Sequence, residues 1–270
     1  MIGRQFPGYE VMPGGAKAGL IIVHGIAEHA ARYRHAADAL AAGGIASFVY
    51  DQRGHGASPG TRTHSDFEDF ASDLELIGAN VQTRFPELPL FVWGHSMGSV
   101  VVTLAAIQHL RWTRGIITTG CALDAMPKVT GITGAILKTA ATLAPRLRIS
   151  LGIDATVLTQ VVDEQRRHMS DPLIPRTASL RLLYGFALAC RTCYAHAAKI
   201  TVPWLAVHGE EDKVCPVSGS RGLIGALGSA DKRLVIYPGL LHEVHNEDAA
   251  SRGAFFDLLS RWILERAQEP

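Results

Sequence analysis

Cysteine is scarce in this 270-residue chain, which has only Cys121, Cys190, Cys193 and Cys215. Four scattered thiols are too few for the disulfide framework that holds a small secreted scaffold together. The run Cys190-Arg191-Thr192-Cys193 has redox and zinc spacing. It lacks a second pair and lies in a helical stretch rich in alanine and leucine, so buried thiols are expected there and no metal site. Charge is thin as well: 19% of residues are charged and the net charge is +1, which gives nucleic acid no electrostatic hold. No apolar run has the length of a membrane-spanning helix. The opening Met1-Ile2-Gly3-Arg4-Gln5-Phe6-Pro7 lacks the apolar stretch of a secretory signal. The cytoplasm is the expected setting.

Hydrophobic residues, by contrast, make up 47% of the chain, ample for one large core. From Leu20 onward apolar runs alternate with helical patterns. This alternation predicts an α/β fold, a mostly parallel central sheet with helices on both faces. Strands are predicted at Gly19–Val23, Ile45–Tyr50, Leu90–Trp93, Gly115–Thr119, Pro203–Val207 and Arg233–Tyr237. Ala30 to Ala42 predicts a helix closed by Gly43-Gly44. Ser65-Asp66-Phe67-Glu68 reads as a capping box opening a helix whose Phe67, Phe70, Leu74, Ile77 and Val81 share one face. An amphipathic helix from about Ser251 to Ala267 closes the chain.

The alternation breaks between about Cys121 and Ile200, where helices and loops are expected and no strand. Residues 1–120 and 201–270 then form the core, and 121–200 a helical cap above the C-terminal strand ends, where ligands bind in such folds. Gly131 to Leu143 is almost wholly apolar, with Lys138 its single charge. It reads either as a cap helix packed on the domain or as an exposed apolar lid. An exposed lid would shape a lipid-sized pocket and touch a membrane surface or a second subunit.

Gly94-His95-Ser96-Met97-Gly98 follows the apolar run Leu90-Phe91-Val92-Trp93 and leads into a predicted helix. A G-x-S-x-G in that setting is the nucleophile elbow of an α/β-hydrolase fold, with serine on a strained turn and glycines where side chains would collide. A serine hydroxyl needs a base to take its proton, and the base needs an orienting carboxylate. In this fold they follow in the order Ser, Asp/Glu, His, each after a strand. Asp212 lies after the strand ending at Val207, with Glu210, Glu211 and Asp124 as rivals. His242 lies after the strand ending at Tyr237, with His245 as rival. Two backbone amides must hold the oxyanion. One is that of Met97. The other comes from the loop His24-Gly25-Ile26-Ala27-Glu28-His29, with Ile26 the chosen donor. His24, His29 and His55 match no zinc signature and are expected to make structural hydrogen bonds.

Taken together, His24-Gly-Ile-Ala-Glu-His29 with Arg32-Tyr33, Asp51-Gln-Arg-Gly-His-Gly-Ala-Ser58, Gly94-His-Ser-Met-Gly98, His208-Gly-Glu-Glu-Asp212 and Pro238-Gly-Leu-Leu-His242-Glu-Val-His245 resemble the monoacylglycerol lipase/lysophospholipase branch of the α/β-hydrolases. Ser170-Asp171-Pro172-Leu173 resembles that branch's cap. The resemblance runs from about Leu20 to the C-terminus. It implies a cofactor-free serine hydrolase that cleaves monoacylglycerols or similar esters, the acyl chain lying in an apolar tunnel under the cap. It favours His242 over His245 as base and maps an oxyanion amide to Ile26. Two departures stand out. Ile26-Ala27 replaces a pair whose second member is commonly glycine, and the short, glycine-rich segment before Leu20 leaves the expected edge hairpin abbreviated or irregular. Ser96 in place of an aspartate nucleophile disfavours dehalogenase and epoxide hydrolase chemistry. The alternatives are a short-chain carboxylesterase, a lysophospholipase, an amide or peptide hydrolase and, in a different class, a catalytically silent binding protein on the same fold.

Overall fold

The computed structural model describes residues 6–108, 110–126 and 130–268. Along the chain come β1 (Gly8–Val11), β2 (Ala18–Val23), α1 (Arg34–Ala42), β3 (Ile45–Tyr50), α2 (Phe67–Arg84), β4 (Leu90–His95), α3 (Met97–Ile107) and β5 (Thr113–Thr119). Then follow α4 (Gly131–Leu143), β6 (Arg148–Ser150), α5 (Val162–Ser170), β7 (Thr177–Ser179) and α6 (Leu180–His196). The chain ends with β8 (Trp204–Gly209), α7 (Val217–Ala226), β9 (Lys232–Tyr237) and α8 (Ala249–Ala267).

Seven strands form one sheet in the order β1-β3-β2-β4-β5-β8-β9, with β1 antiparallel to β3 and every other pair parallel. This is the mostly parallel α/β sheet that the alternation predicts. Strands β2, β3, β4 and β8 are buried at every position, as parallel strands covered on both faces must be. Period-two geometry splits their side chains between two cores. Ile21, Val23, Leu90 and Val92 meet α2, α3 and α6 on one face. Leu20, Ile22, Phe91 and Trp93 meet α1 and α8 on the other. The five predicted contact residues of α2, Phe67 to Val81, are all buried.

Local readings are corrected in three places. The capping box does not form: Asp66 is the N-cap residue and makes no side-chain cap bond, because its carboxylate is drawn to Arg181 of α6. Ser65 instead donates to Asp69 Oδ2 at 3.2 Å. Among the described residues β1 and β2 form no hairpin, since β3 lies between them in the sheet. Finally, the stretch expected to lack strands holds an antiparallel pair, β6 with β7. Arg148 ties this pair to the loop before α2 by donating to Thr63 Oγ1 at 2.7 Å and to the Arg62 carbonyl at 2.5 Å.

The helices between β5 and β8 differ in what they bury. In α6, Leu182, Phe186, Ala189, Cys190 and Cys193 enter the core beside α3. In α4, Ile132 is 82%, Ile136 63% and Leu143 80% exposed, while Ala141 is buried, so the helix packs by one face and leaves large apolar side chains in solvent on the rest. All four cysteines are free and buried, as expected. Among the described residues, no helix is long and apolar enough to cross a membrane.

Gly78 of α2 lies where the helix packs closely on Trp112. A Cβ there would stand 2.0 Å from the Trp112 ring, and that ring is fixed by its Nε1–H bond to Glu75 Oε2 at 2.9 Å. Alanine gains about 1 kcal/mol of helix propensity, but overpacking costs roughly 1–3 kcal/mol. Gly78→Ala is therefore expected to lower the urea midpoint, contrary to the propensity rule; a raised midpoint would contradict the packing.

Candidate active site

Parallel register brings the C-terminal ends of β2, β4, β5, β8 and β9 to one edge of the sheet, pairing Val23 with Gly94, His95 with Thr119, Thr119 with Val207 and Gly209 with Tyr237. Ile26, Ser96, Asp212 and His242 all lie just beyond these ends. Ser96 sits between β4 and α3 at φ 52°, ψ −120°, in the left-handed region that a non-glycine residue occupies only at a cost of about 1–3 kcal/mol. Its N–H donates to the Thr119 carbonyl at 2.9 Å. The flanking glycines are obligatory: a Cβ on Gly94 would lie 2.4 Å from the Gly98 carbonyl oxygen, and one on Gly98 2.1 Å from that of Val23. Strand, turn and helix pack too closely for any side chain.

Asp212, in the loop after β8, accepts the amides of Val214 and Cys215 at Oδ1, each at 2.8 Å. Its Oδ2 accepts His242 Nδ1–H at 2.6 Å and lies 3.0 Å from His208 Nε2. Burial opposes its ionisation. The His242 charge and the bonds from His208, His242 and the Cys215 amide outweigh that and hold its carboxyl well below the usual carboxylate range. For His242 burial again opposes the charged form, but Asp212 prevails and raises the imidazole above its ordinary value of 6.5. The rivals are placed elsewhere. Glu210 and Glu211 are exposed, and Asp124 accepts from Tyr194 and Ser218. His245 stacks on Tyr33, with ring centroids 5.2 Å apart. The ring centroids of His242 and His245 each lie 4.7 Å from that of His95, the residue before Ser96, so the 2.6 Å bond to Asp212 is what sets His242 apart.

Met97 opens α3, so its N–H belongs to a helix first turn, where amides lack intrahelical acceptors. Ile26 is half-buried in a loop held at both ends. Gly25 N–H donates to Glu28 Oε2 and Ala30 N–H to Asp51 Oδ1, both at 2.7 Å. Ala27 adopts φ 55°, so the missing glycine is met by strain with no change of course in the chain. His24 donates from Nδ1 to the Gly25 carbonyl at 2.8 Å and accepts the Gln52 amide at Nε2 at 3.0 Å. Its burial pushes its pKa down to about 3. His55 bonds the Arg53 carbonyl at 3.0 Å, and His29 bonds Asp171 Oδ2 at 2.7 Å. All three histidines thus make the structural bonds expected of them.

Sequence reasoning missed a buried ion network behind the loop. Arg32 pairs with Glu28 and forks onto Glu243 at 2.9 and 2.8 Å, while Tyr33 Oη donates to Glu28 Oε2 at 2.9 Å. Burial opposes charge on Glu243, but Arg32 holds its carboxyl well below the ordinary range. Ligand atoms of Glu28, His95 and Glu243 all lie within 4.8 Å of one another, yet Arg32 already supplies the counter-charge a cation would bring. The i,i+4 spacing of Glu28 and Arg32 was a usable signal; nothing in the spacing pointed to Glu243. The role of Asp171 as the partner of His29 was missed too, although Ser170-Asp171-Pro172-Leu173 had drawn notice. A cavity of about 130 Å³ adjoins Ile26 and Ala27 beneath Leu151, His168 and Ile174.

The family profile described as "Serine aminopeptidase, S33" matches residues 14–249. The chain is 32% identical over 250 residues to a monoacylglycerol lipase of Mycolicibacterium smegmatis, covering 91% of this chain and 87% of that protein. It is 32% identical over 257 residues to human monoglyceride lipase, covering 94% and 84%. The chain belongs to the monoglyceride lipase family of α/β-hydrolases. Among solved structures, that of Paleococcus ferrophilus monoacylglycerol lipase superposes with a TM-score of 0.85 at 26% identity, covering 96% of this chain and 98% of the other. A soluble variant of Saccharomyces cerevisiae monoglyceride lipase, solved with a substrate analogue, gives 0.84 at 26% identity, covering 98% and 95%.

An imidazole that must be neutral to accept a proton works only above its own pKa. Since Asp212 raises that of His242, kcat/KM is expected to rise with pH through a midpoint above 6.5. Asp212→Asn removes the raising charge, so the midpoint should fall while kcat drops by about 10⁴. An unchanged midpoint in the variant would contradict the coupling.

Proposed function

We propose that this protein hydrolyses carboxylic esters through Ser96, and that its substrates are monoacylglycerols with medium-to-long acyl chains. The observation that carries the reading is the 2.6 Å bond from His242 Nδ1 to Asp212 at the sheet edge where Ser96 occupies its strained turn. The reading is supported further by relatives named monoacylglycerol and monoglyceride lipase that match nearly the whole chain.

In this mechanism Ser96 attacks the ester carbonyl while His242 takes its proton, and Asp212 stabilises the imidazolium. The amides of Ile26 and Met97 hold the oxyanion of the tetrahedral intermediate. His242 then protonates the departing alcohol, and water cleaves the acyl-enzyme through the same base. No cofactor takes part in these steps. Residues 1–120 and 201–270 serve as the core and 121–200 as the cap, with α6 its buried root. The exposed Ile132, Ile136 and Leu143 of α4 support peripheral contact of the cap with a lipid surface, or with a second copy of the chain. Four buried free thiols fit a reducing compartment such as the cytoplasm.

Hydrolysis of a monoacylglycerol series from acetyl to long acyl chains tests the proposal, with Ser96→Ala as the blank. The expected result is an optimum at medium or long chains that falls more than about a thousandfold in the variant. Fastest turnover on acetyl esters would remove the lipase assignment. Preferential cleavage of aminoacyl amides would favour the peptidase chemistry in the family's description.

A further inference from the structure

The residues on both sides of His242 are tied to the same short piece of the cap. On one side, Glu243 N–H donates to the Leu158 carbonyl at 2.7 Å. On the other, Leu241 N–H donates to Glu247 Oε1 at 3.1 Å, and Glu247 Oε2 accepts the Gln160 amide at 3.0 Å. Thr159 Oγ1 lies 3.3 Å from Oε2 and donates to the Asn246 carbonyl at 2.8 Å. Gln160 Nε2 reaches the Gly239 carbonyl at 2.7 Å, farther back in the same loop. Glu247 is 2% exposed, and each of these donors is neutral. None of these residues touches the reacting atoms in the mechanism above.

We propose that Glu247 is a positioning residue through which cap residues Leu158 to Gln160 set the catalytic histidine. The inference rests on the serine-hydrolase reading of Ser96 and His242. A carboxylate offers two acceptor oxygens, and here each serves a different element: one the residue before His242, the other the cap. An amide of the same shape has a single acceptor oxygen and must give up one of the two bonds. Asp212 holds only the far side of the imidazole, so the reach of the ring toward Ser96 depends on the backbone at Leu241 and Glu243. Nucleophile and base must be held to a fraction of an ångström for efficient transfer. The base is therefore poised when the cap segment is seated, and displacing that segment pulls on the amides of both flanking residues at once.

Glu247→Gln tests this in the full chain. Active sites are counted with a fluorophosphonate, which separates slow enzyme from misfolded enzyme. On a long-chain monoacylglycerol, kcat per titrated site should fall about tenfold to a hundredfold with KM within about twofold. An unchanged kcat per titrated site, any loss coming only from fewer titratable molecules, would overturn the proposal. If the variant does not fold, hydrogen exchange in the wild-type protein decides. The amides of Leu241, Glu243 and Gln160 should open together, at one rate that slows in common when Ser96 carries a long-chain phosphonate. Independent exchange of the cap amide and the two loop amides would overturn the proposal equally. Activity surviving in Ser96→Ala would instead remove the reading beneath it, so the two failures are distinguishable.

Discussion

Parallel hydrogen bonding of β2, β4, β5, β8 and β9 in one register is the constraint on which the rest depends. Slipping one strand by a residue would turn every side chain to the opposite core and detach its loop from the shared edge. With the register fixed, residues separated by more than a hundred positions in the chain reach one place. The strained Ser96 turn is then affordable, because strand β4, helix α3 and the glycines between them leave the backbone no other path.

Electrostatics acts within that frame. Asp212 and His242 are both buried, and each keeps the charged form of the other favourable against desolvation. Behind them, Arg32 joins Glu28, in the loop after β2, to Glu243, the residue after His242. A buried arrangement of this kind adds little net stability, since desolvation offsets most of the attraction. Its physical effect is geometric: one planar guanidinium fixes the separation of the two loops that must cooperate. Residues between β5 and β8 bond the same pair of loops, Asp171 on His29 and Leu158, Thr159 and Gln160 on the stretch from Gly239 to Glu247.

Much of this was legible in the sequence. The strands of the sheet announced themselves as apolar runs because burial on both faces demands it. Ser96, Asp212 and His242 stood out because each follows such a run, and their order matches the fold. Choosing Asp212 over Glu210 and Glu211 from neighbouring positions needed the turn geometry, which buries the aspartate and leaves both glutamates in water. The capping box failed because the helix takes Asp66 as its N-cap residue and Ser65 turns to Asp69, while Arg181, 115 residues away, occupies the Asp66 carboxylate. Strands β6 and β7 have three residues each, too few for alternation to register. The Arg32–Glu243 and Gln160–Glu247 bonds span 211 and 87 residues, and no local pattern encodes such partners.

In the proposed reaction Ser96 carries the acyl group between the two halves. Acid-quenching the protein within the first turnovers on a long-chain monoacylglycerol, followed by peptide mass mapping, tests it directly. The expected result is the substrate's acyl mass on the peptide containing Ser96, accumulating before steady state and chased off on dilution into buffer. Turnover with no acylated peptide under conditions where chemistry is faster than release, or acylation at another residue, would contradict it.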